Sequence, residues 1–310
     1  MFKKADLAFW IEEYLFYPKN FLQFLLSILL LPFTLVYCII VIFKRLFSKK
    51  IDFNIPIVSI GNLTIGGNGK TPLTIELAKD YENCAIILRG YKRQSSGLVV
   101  VSTKGKILCD VSQSGDEAML YAKSLPNATV IVCENRSKAI EYAKSSTCRV
   151  LFLDDGFSKS YIKKFDILIK PKIEPTLPFC LPSGAYREPK YLYSSADLVV
   201  KEDIDFKRVV KIVNPTKEMI LVTGISKPKR LDDFLPKNIK EKIYFEDHHS
   251  FTKEELKTLM QKYNATSILT TSKDAVKMEN FGLKLSILEL QLELNPRIKN
   301  KINSFLSNFR

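Results

Sequence analysis

The sequence contains little histidine, and its cysteines are widely spaced. Its only two histidines are adjacent, at His248 and His249, and none of its six cysteines forms a C-x-x-C pair. A structural zinc site needs three or four such ligands close together, so this distribution argues against zinc. Cysteines without close pairs are typical of a protein in a reduced, cytosolic compartment. The sequence also lacks nucleic-acid-binding motifs, internal repeats and low-complexity segments, although its formal net charge is +14.

An apolar run near the start of the chain suggests contact with a membrane. Residues 21–43 are almost uncharged, and a run of this length can cross a bilayer core of roughly 30 Å. Aromatic side chains precede the run, and four basic residues follow it between positions 44 and 50, so the positive-inside tendency places the rest of the chain in the cytoplasm. Pro32 would kink a helix here, which leaves three alternatives: a full span, a re-entrant or interfacial helix, and a buried core helix.

A glycine-rich stretch between a predicted strand and a predicted helix indicates phosphate binding. Its register resembles a Walker A loop, although Thr64 occupies the position of the first glycine in the strict motif G-x-x-x-x-G-K-[ST]. Glycines let backbone N–H groups approach a phosphate, Lys70 would reach the outer phosphates, and the Thr71 hydroxyl would coordinate Mg²⁺. A strand-to-helix turn without a ligand is the alternative. The predicted binding residues are Thr64, Gly66, Gly67, Asn68, Gly69, Lys70 and Thr71.

Strands and helices alternate along most of the remaining chain, which predicts an α/β fold with parallel sheets covered by helices. We expect an N-terminal membrane helix in residues 1–50, a P-loop domain with a parallel sheet in residues 51–210, and a second, smaller α/β domain in residues 211–310. A hinge is expected near residues 203–215. The proline-rich stretch 171–189 is expected to be a functional loop or a disordered segment.

Two adjacent acids, Asp154 and Asp155, follow an apolar strand. After a phosphate loop, an acid at the carboxyl end of such a strand is expected to hold Mg²⁺ directly or through water. The sequence does not distinguish which of the two would contact the metal. A solvated Asp-Asp-Gly turn is the alternative.

A series of short motifs resembles the tetraacyldisaccharide 4′-kinase family over nearly the whole chain. The matching stretches are 60–72, Arg-Gly-Tyr at 89–91, Gly-Asp-Glu at 115–117, Asp-Asp-Gly-Phe at 154–157, Leu-Pro-Ser-Gly at 181–184, Arg-Glu-Pro at 187–189, Val-Thr-Gly-Ile at 222–225, Asp-His at 247–248 and Thr-Thr-Ser-Lys-Asp-Ala at 270–275. The long lead-in at 61–64 is typical of this family. One departure is that Ser158 and Lys159 stand where the family usually has Gln-His.

The resemblance implies a lipid kinase that uses ATP and Mg²⁺. Its reaction would phosphorylate the 4′-hydroxyl of tetraacyldisaccharide 1-phosphate and give lipid IVA. Asp116 would match the acid that accepts the hydroxyl proton, and His248 would match the histidine paired with that acid. Lys70 would match the lysine that neutralises phosphate charge. We also expect metal binding by Thr71, Asp154, Asp155 and Glu188, and substrate binding by Arg136 and Arg187.

The expected substrate carries four acyl chains and stays in the bilayer. We therefore expect a monomer at the inner membrane, with its catalytic domains on the cytoplasmic side and no nucleic-acid partner. The alternative is a membrane-associated P-loop NTPase that regulates a partner without phosphorylating a lipid. A GTPase is disfavoured because the sequence has no Asn-Lys-x-Asp motif.

Overall fold

A computed structural model describes residues 4–225 and 228–309. The helices are α1 (Lys4–Phe16), α2 (Phe21–Leu29), α3 (Leu31–Leu46), α4 (Lys70–Ala78), α5 (Val111–Ser114), α6 (Asp116–Ser124), α7 (Arg136–Ser145), α8 (Lys253–Lys262), α9 (Ser272–Met278) and α10 (Pro296–Ser307). The strands are β1 (Ile57–Gly61), β2 (Cys84–Leu88), β3 (Val99–Thr103), β4 (Lys106–Ile107), β5 (Thr129–Val132), β6 (Val150–Asp154), β7 (Phe165–Lys170), β8 (Leu198–Lys201), β9 (Phe206–Val213), β10 (Met219–Thr223), β11 (Ile239–Tyr244), β12 (Ser267–Thr271) and β13 (Leu285–Leu294).

The chain divides into two compact units. The first comprises Met1–Lys70, Asp155–Phe206 and Leu294–Arg310, and the second comprises Thr71–Asp154 and Lys207–Glu293. The boundaries expected from the sequence stay a prediction. The hinge expected near residues 203–215 also stays a prediction, and most of that segment is strand β9. Its β-branched valines and isoleucine favour an extended backbone.

In the first unit, strands β1, β7 and β8 lie side by side and are parallel. Every residue of β1 is buried, as expected for a parallel strand covered on both faces. Gly61 ends this strand where the backbone passes close to Phe157, and an added Cβ would lie 2.9 Å from the Phe157 Cβ. Beyond it, the Arg187 N–H donates to the Leu63 carbonyl at 2.6 Å. This hydrogen bond joins the lead-in of the glycine loop to the proline-rich stretch.

Helices α2 and α3 point large apolar side chains outward. Phe21, Leu29 and Phe33 are 77%, 69% and 66% exposed. Their buried side chains are polar, namely Gln23, Ser27 and Thr34. The hydroxyls of Thr34 and Ser183 lie 2.8 Å apart. This arrangement is the reverse of a helix on the surface of a water-soluble protein.

The apolar run forms two helices instead of the single kinked helix considered above. Pro32 lies in the first turn of α3, where a missing N–H is tolerated, so the break falls just before it at Leu30. Within residues 4–225 and 228–309, no single helix is long and apolar enough to cross a membrane. Helices α2 and α3 pass that test only together, with a bend of 51° between them.

The second unit contains two sets of paired strands. One follows the order β4-β3-β5-β2-β6, in which β5, β2 and β6 are parallel and the hairpin β3–β4 is antiparallel. The other follows the order β11-β10-β12-β13-β9, in which β11, β10, β12 and β13 are parallel. The predicted parallel α/β architecture is confirmed.

Asp274 connects the end of β10 with the start of α9. Its fully buried carboxylate accepts hydrogen bonds from the Thr223 hydroxyl at 2.7 Å, the Gly224 N–H at 3.0 Å and the Thr271 hydroxyl at 3.1 Å. The ammonium of Lys277 lies 2.7 Å from its other oxygen. A buried charge with this many partners holds the two elements in one arrangement.

We expect Asp274→Ala to lower the free energy of unfolding by about 3 kcal/mol, because it removes these hydrogen bonds and the nearest carboxylate partner of Lys277. Urea unfolding followed by circular dichroism measures the change. Asp233→Ala, at an exposed position, is the matched control and should change stability by about 0.5 kcal/mol or less. Equal stability of the two variants would contradict this role for Asp274.

Candidate active site

The glycine loop has the backbone that the sequence predicts. Gly66 and Gly69 have φ angles of +86° and +88°, which L side chains rarely adopt. The loop is exposed at Gly66 and Gly67 and half-buried from Asn68 onward. Lys70 is the first residue of the nine-residue helix α4. Such a loop at a helix start is suited to binding a phosphate through backbone N–H groups.

Asn62 links the predicted loop residues, although it is not itself among the predicted binding residues. Its Oδ1 accepts hydrogen bonds from Lys70 Nζ at 3.0 Å and from Arg187 Nη2 at 2.7 Å. Its Nδ2 donates to the Thr64 carbonyl at 2.8 Å. The Thr64 hydroxyl in turn accepts from Asn68 Nδ2 at 2.7 Å. Asn62 thereby orients the side chains of Lys70 and Arg187 and the start of the loop. Its position in the long lead-in at 61–64 was the signal in the sequence that could have identified it.

Asp155 lies in the same cluster. Arg187 donates two hydrogen bonds to its carboxylate, each 2.9 Å long, and Lys70 Nζ lies 3.7 Å from Oδ1. Burial lowers the pKa of Arg187, but the hydrogen bonds and charge of Asp155 outweigh this and raise it above its usual range. The structure therefore brings together three predicted site residues, Lys70, Asp155 and Arg187.

Glu188 is a buried acid that forms an ion pair with Arg45 of α3. Burial raises the pKa of Glu188, and the positive charges of Arg45 and Arg187 oppose this only in part. The Arg45 guanidinium also lies 4.1 Å from the centre of the Phe157 ring. A cavity of about 230 Å³ opens beside these residues, and Lys44 also lines it. Basic side chains of helix α3, which carries part of the exposed apolar face, thus line this cavity.

Arg136 is only 3% exposed, and its guanidinium donates to the carbonyls of Cys133 at 2.5 Å and Asp154 at 3.5 Å. This placement supports the end of β6 and does not support the predicted contact of Arg136 with substrate. Asp154 ends that strand with its side chain buried. Burial and the nearby Asp154 charge raise the pKa of Tyr121 well above its usual range.

The residues predicted to bind Mg²⁺ have suitable chemistry. Thr71 offers a hydroxyl oxygen at the start of a helix, and Asp154 a carboxylate at the end of a strand. In the described part of the chain, no cluster of three or more histidine, cysteine or acidic residues is arranged as a metal cage. Mg²⁺ typically takes one or two carboxylates and completes its shell with water and phosphate oxygens, so these residues fit it.

Asp116 and His248 meet in the second unit. His248 Nδ1 lies 2.8 Å from one carboxylate oxygen of Asp116 and 3.0 Å from the other. The two residues are 132 positions apart in sequence, and their side chains are only 6% and 10% exposed. The structure therefore brings together the acid and the histidine that the family resemblance paired.

The backbone on both sides of this pair is constrained. His248 has a φ angle of +65°, which is uncommon for a residue with a side chain, and its N–H donates to the Gly224 carbonyl at 3.0 Å. An added Cβ at Gly224 would lie 2.9 Å from the Glu246 carbonyl oxygen. Gly115, just before Asp116, has a φ angle of +83°. Such constrained positions often occur at functional sites.

Two lysines of α9 complete the surroundings of Asp116. Lys273 Nζ lies 3.9 Å from the Asp116 carboxylate and 3.3 Å from His248 Nε2, and Lys277 Nζ also lies 3.9 Å from the carboxylate. Burial raises the pKa of Asp116, but the His248 hydrogen bond and these positive charges outweigh burial and bring it below its ordinary value. Asp116 is therefore an anion at neutral pH.

Comparison with known proteins identifies the family. The sequence profile described as "Tetraacyldisaccharide-1-P 4'-kinase" (LpxK) matches residues 26–309. The chain belongs to this family. It is 55% identical to the tetraacyldisaccharide 4'-kinase of Aliarcobacter butzleri, covering 99% of this chain and 100% of the relative. It is 44% identical to the enzyme of Campylobacter jejuni subsp. jejuni serotype O:2, covering 100% and 99%.

A solved structure from this kinase family agrees with the fold. The "apo" form of LpxK from Aquifex aeolicus in complex with ATP superposes with a TM-score of 0.75 at 28% identity, covering 91% of this chain and 99% of that chain. The predicted family and α/β fold class are therefore confirmed. Of the residues that the prediction missed, Asn62 and Lys273 lie within motifs that the kinase resemblance had marked, and Lys277 lies two residues beyond one of them.

We expect the stability contribution of Asp116 to depend on pH. Its folded-state pKa lies below the ordinary value of 3.8, so the contribution is present above about pH 3.8 and is lost as the pH falls through the folded pKa. Asp116→Asn should therefore lower the free energy of unfolding by about 2 kcal/mol at pH 7 and by less at pH 3.

Urea unfolding at pH 7, 5 and 3 tests this expectation. Asp233→Asn, at an exposed acid, should show almost no difference from the unsubstituted chain at any of these pH values. A gap for Asp116→Asn that stays constant down to pH 3 would show that the charge does not provide the stabilisation.

Proposed function

We infer the activity from the family and from the two residue clusters together. The chain is an ATP-dependent kinase that phosphorylates the 4′-hydroxyl of tetraacyldisaccharide 1-phosphate and gives lipid IVA in lipid A biosynthesis. Whole-length similarity to named 4'-kinases supports this function. The observation that carries the catalytic proposal is the contact between Asp116 and His248. The comparisons do not favour the alternative of a regulatory NTPase.

Asp116 is proposed to accept the proton of the attacking hydroxyl. The hydroxyl oxygen forms its bond to the γ-phosphorus as the bond to the ADP oxygen breaks, and its proton passes to the Asp116 carboxylate. A carboxylate with a lowered pKa is a weak base, so it serves when the hydroxyl has become more acidic in the transition state. His248 donates from Nδ1 to the carboxylate, which orients Asp116 and lets the pair share the proton.

The glycine loop from Thr64 to Thr71 is proposed to hold the phosphates of ATP. Lys70 would neutralise charge on the outer phosphates, and Asn62 would aim its ammonium. Arg187, beside Lys70, is proposed to contact phosphate or the anionic head of the glycolipid. These cations act by placing positive charge where negative charge develops, which is the main contribution of a protein to phosphoryl transfer.

Thr71, Asp154, Asp155 and Glu188 are proposed to hold Mg²⁺. When bound, the metal neutralises phosphate charge and orients the transferred group. Asp155 forms an ion pair with Arg187, and Glu188 forms one with Arg45. To bind Mg²⁺ or the water molecules around it, each of these carboxylates would have to give up its contact with the arginine.

We expect Asp116→Asn to reduce kcat by about 10²-fold to 10⁴-fold, because an amide cannot accept the proton. Lys70→Ala should reduce activity similarly by removing charge from the phosphates. Transfer of ³²P from ATP to the purified disaccharide 1-phosphate in mixed micelles measures both. Asp233→Asn is the matched control and should keep full activity. Full activity of Asp116→Asn would contradict the proposed mechanism, and ATP hydrolysis without lipid phosphorylation would contradict the kinase function.

Helices α2 and α3 are proposed to embed their exposed apolar face in the inner membrane. Their inverted polarity supports this, because apolar side chains such as Leu29 and Phe33 face outward while polar ones are buried. Lys44 and Arg45 at the end of α3 would lie near anionic head groups, which supports a cytoplasmic position for the catalytic units. We also propose that the chain acts as a monomer, since each residue cluster is completed within one chain.

We expect the double variant Leu29→Ser/Phe33→Ser to bind vesicles of phosphatidylethanolamine and phosphatidylglycerol roughly 100-fold more weakly. Each large apolar side chain withdrawn from lipid costs about 1.5 kcal/mol. Co-sedimentation measures the binding. Ile204→Ser, which removes a side chain that is 68% exposed outside these helices, is the control and should bind normally. Equal binding of both variants would rule out this face as the membrane contact.

A further inference from the structure

The motif at residues 270–275 contains a lysine that the proposed mechanism does not yet use. Thr271 caps helix α9, its hydroxyl accepting from the Asp274 N–H, and Lys273 follows in the first turn. The Lys273 side chain is 20% exposed and therefore partly withdrawn from water. Its ammonium lies 3.3 Å from His248 Nε2, whereas the other ring nitrogen, Nδ1, contacts Asp116.

This geometry determines where the imidazole carries its proton. A lysine ammonium has donors only, so His248 Nε2 must accept in this contact. An ionised carboxylate accepts only, so Nδ1 must donate to Asp116. Both contacts are satisfied together by the neutral tautomer with its proton on Nδ1. A proton on Nε2 would point at the ammonium and break the Lys273 contact.

The charges around His248 act in opposite directions. Asp247 Oδ2 lies 3.7 Å from His248 Nε2 and favours a positively charged ring, whereas Lys273 opposes one and lies 3.5 Å from Asp247 Oδ1. The Tyr91 ring packs edge-on against the imidazole, with centroids 5.5 Å apart, and the Lys92 ammonium donates to the Asp247 carbonyl at 3.1 Å.

Lys277 is a suitable comparison because it faces Asp116 in a different way. Its ammonium lies 2.7 Å from Asp274 and donates to the His249 carbonyl at 3.0 Å, while it stays 3.9 Å from the Asp116 carboxylate. Of the two lysines of α9 near Asp116, the described contacts give only Lys273 a contact with the His248 ring. Lys277 adds positive charge beside Asp116, and Lys273 also constrains the imidazole.

We propose that Lys273 is a positioning residue that holds His248 as the neutral Nδ1–H tautomer and so leaves Asp116 to take the proton from the substrate hydroxyl. This inference rests on the proposed function of Asp116 as the proton acceptor. It assigns a role to Lys273 that neither the family resemblance nor the phosphate loop supplies. Its effect passes through His248 and Asp116 and requires no contact of Lys273 with substrate.

The tautomer can be measured without any assay of activity. The chain has only two histidines, so ¹⁵N-histidine labelling of the full chain gives two imidazole spin systems, and His249→Gln assigns them. We expect His248 to be protonated at Nδ1 and unprotonated at Nε2 at pH 7. In Lys273→Met, Nε2 should gain a proton at pH 7. Lys273→Arg keeps a charged donor and should retain the original state.

The pH dependence of kcat provides the second readout. Without the Lys273 charge, protonation of the Asp116–His248 pair becomes easier, so the acid limb should move to higher pH. We expect kcat at pH 7 to fall roughly 10-fold in Lys273→Met and to recover in large part in Lys273→Arg. Lys257→Met, at an exposed lysine of α8, is the matched control and should change neither readout.

Each outcome decides the inference. An Nε2–H tautomer in the unsubstituted chain overturns it, even if Lys273→Met fails to fold. A loss of kcat in Lys273→Met that is equal at every pH, with the tautomer unchanged, overturns it in favour of a purely structural role. Full activity of Asp116→Asn is a separate result, because it overturns the proposed function while the tautomer measurement still reports on Lys273.

Discussion

The hydrogen bond between Asp116 and His248 is the interaction on which the catalytic account depends. It joins residues far apart in the sequence and buries both side chains almost completely. A buried carboxylate is costly unless it is compensated, and here an imidazole and two ammonium groups compensate it. Close backbone approaches surround this arrangement, including that of Gly224 to the Glu246 carbonyl.

The first unit uses the same physical strategy around the glycine loop. Arg187 and Lys70 are both held by Asn62 Oδ1, and Asp155 balances their charge. Three charged groups are thus kept in fixed positions before a phosphate arrives, which reduces the reorganisation needed when one binds. Residues 64–69 of the loop carry no charged side chain, so they contribute backbone N–H groups, and Lys70 contributes the positive charge.

Helices α2 and α3 expose apolar side chains and bury polar ones, which is unfavourable for a surface in contact with water. Their polar side chains Gln23 and Thr34 are buried, and Thr34 is hydrogen-bonded to the proline-rich stretch through Ser183. This pattern supports the proposed membrane contact, because a substrate with four acyl chains stays at the bilayer. Arg45, near the end of α3, pairs with Glu188 and so connects this surface to the cavity that both residues line.

The sequence predicts local features well and long-range contacts poorly. Apolar runs identify buried strands such as β1 and β6, and the glycine spacing identifies the phosphate loop, because these signals are contained in a few adjacent residues. The helix break at Leu30 and strand β9 were not predicted, since helix termini and strand pairing depend on neighbours distant in sequence. Asn62 and Lys273 were missed for a similar reason, because their roles rest on tertiary contacts. The pairing of Asp116 with His248 came from family resemblance and not from spacing.

The central claim is that the Asp116 carboxylate receives the substrate proton. The most direct test is a structure of the chain with a non-hydrolysable ATP analogue, Mg²⁺ and tetraacyldisaccharide 1-phosphate. The account predicts that the 4′-hydroxyl oxygen lies within about 3.2 Å of an Asp116 carboxylate oxygen while His248 Nδ1 stays bonded to that carboxylate. A 4′-hydroxyl bonded to another side chain, with Asp116 turned away from it, would contradict the account.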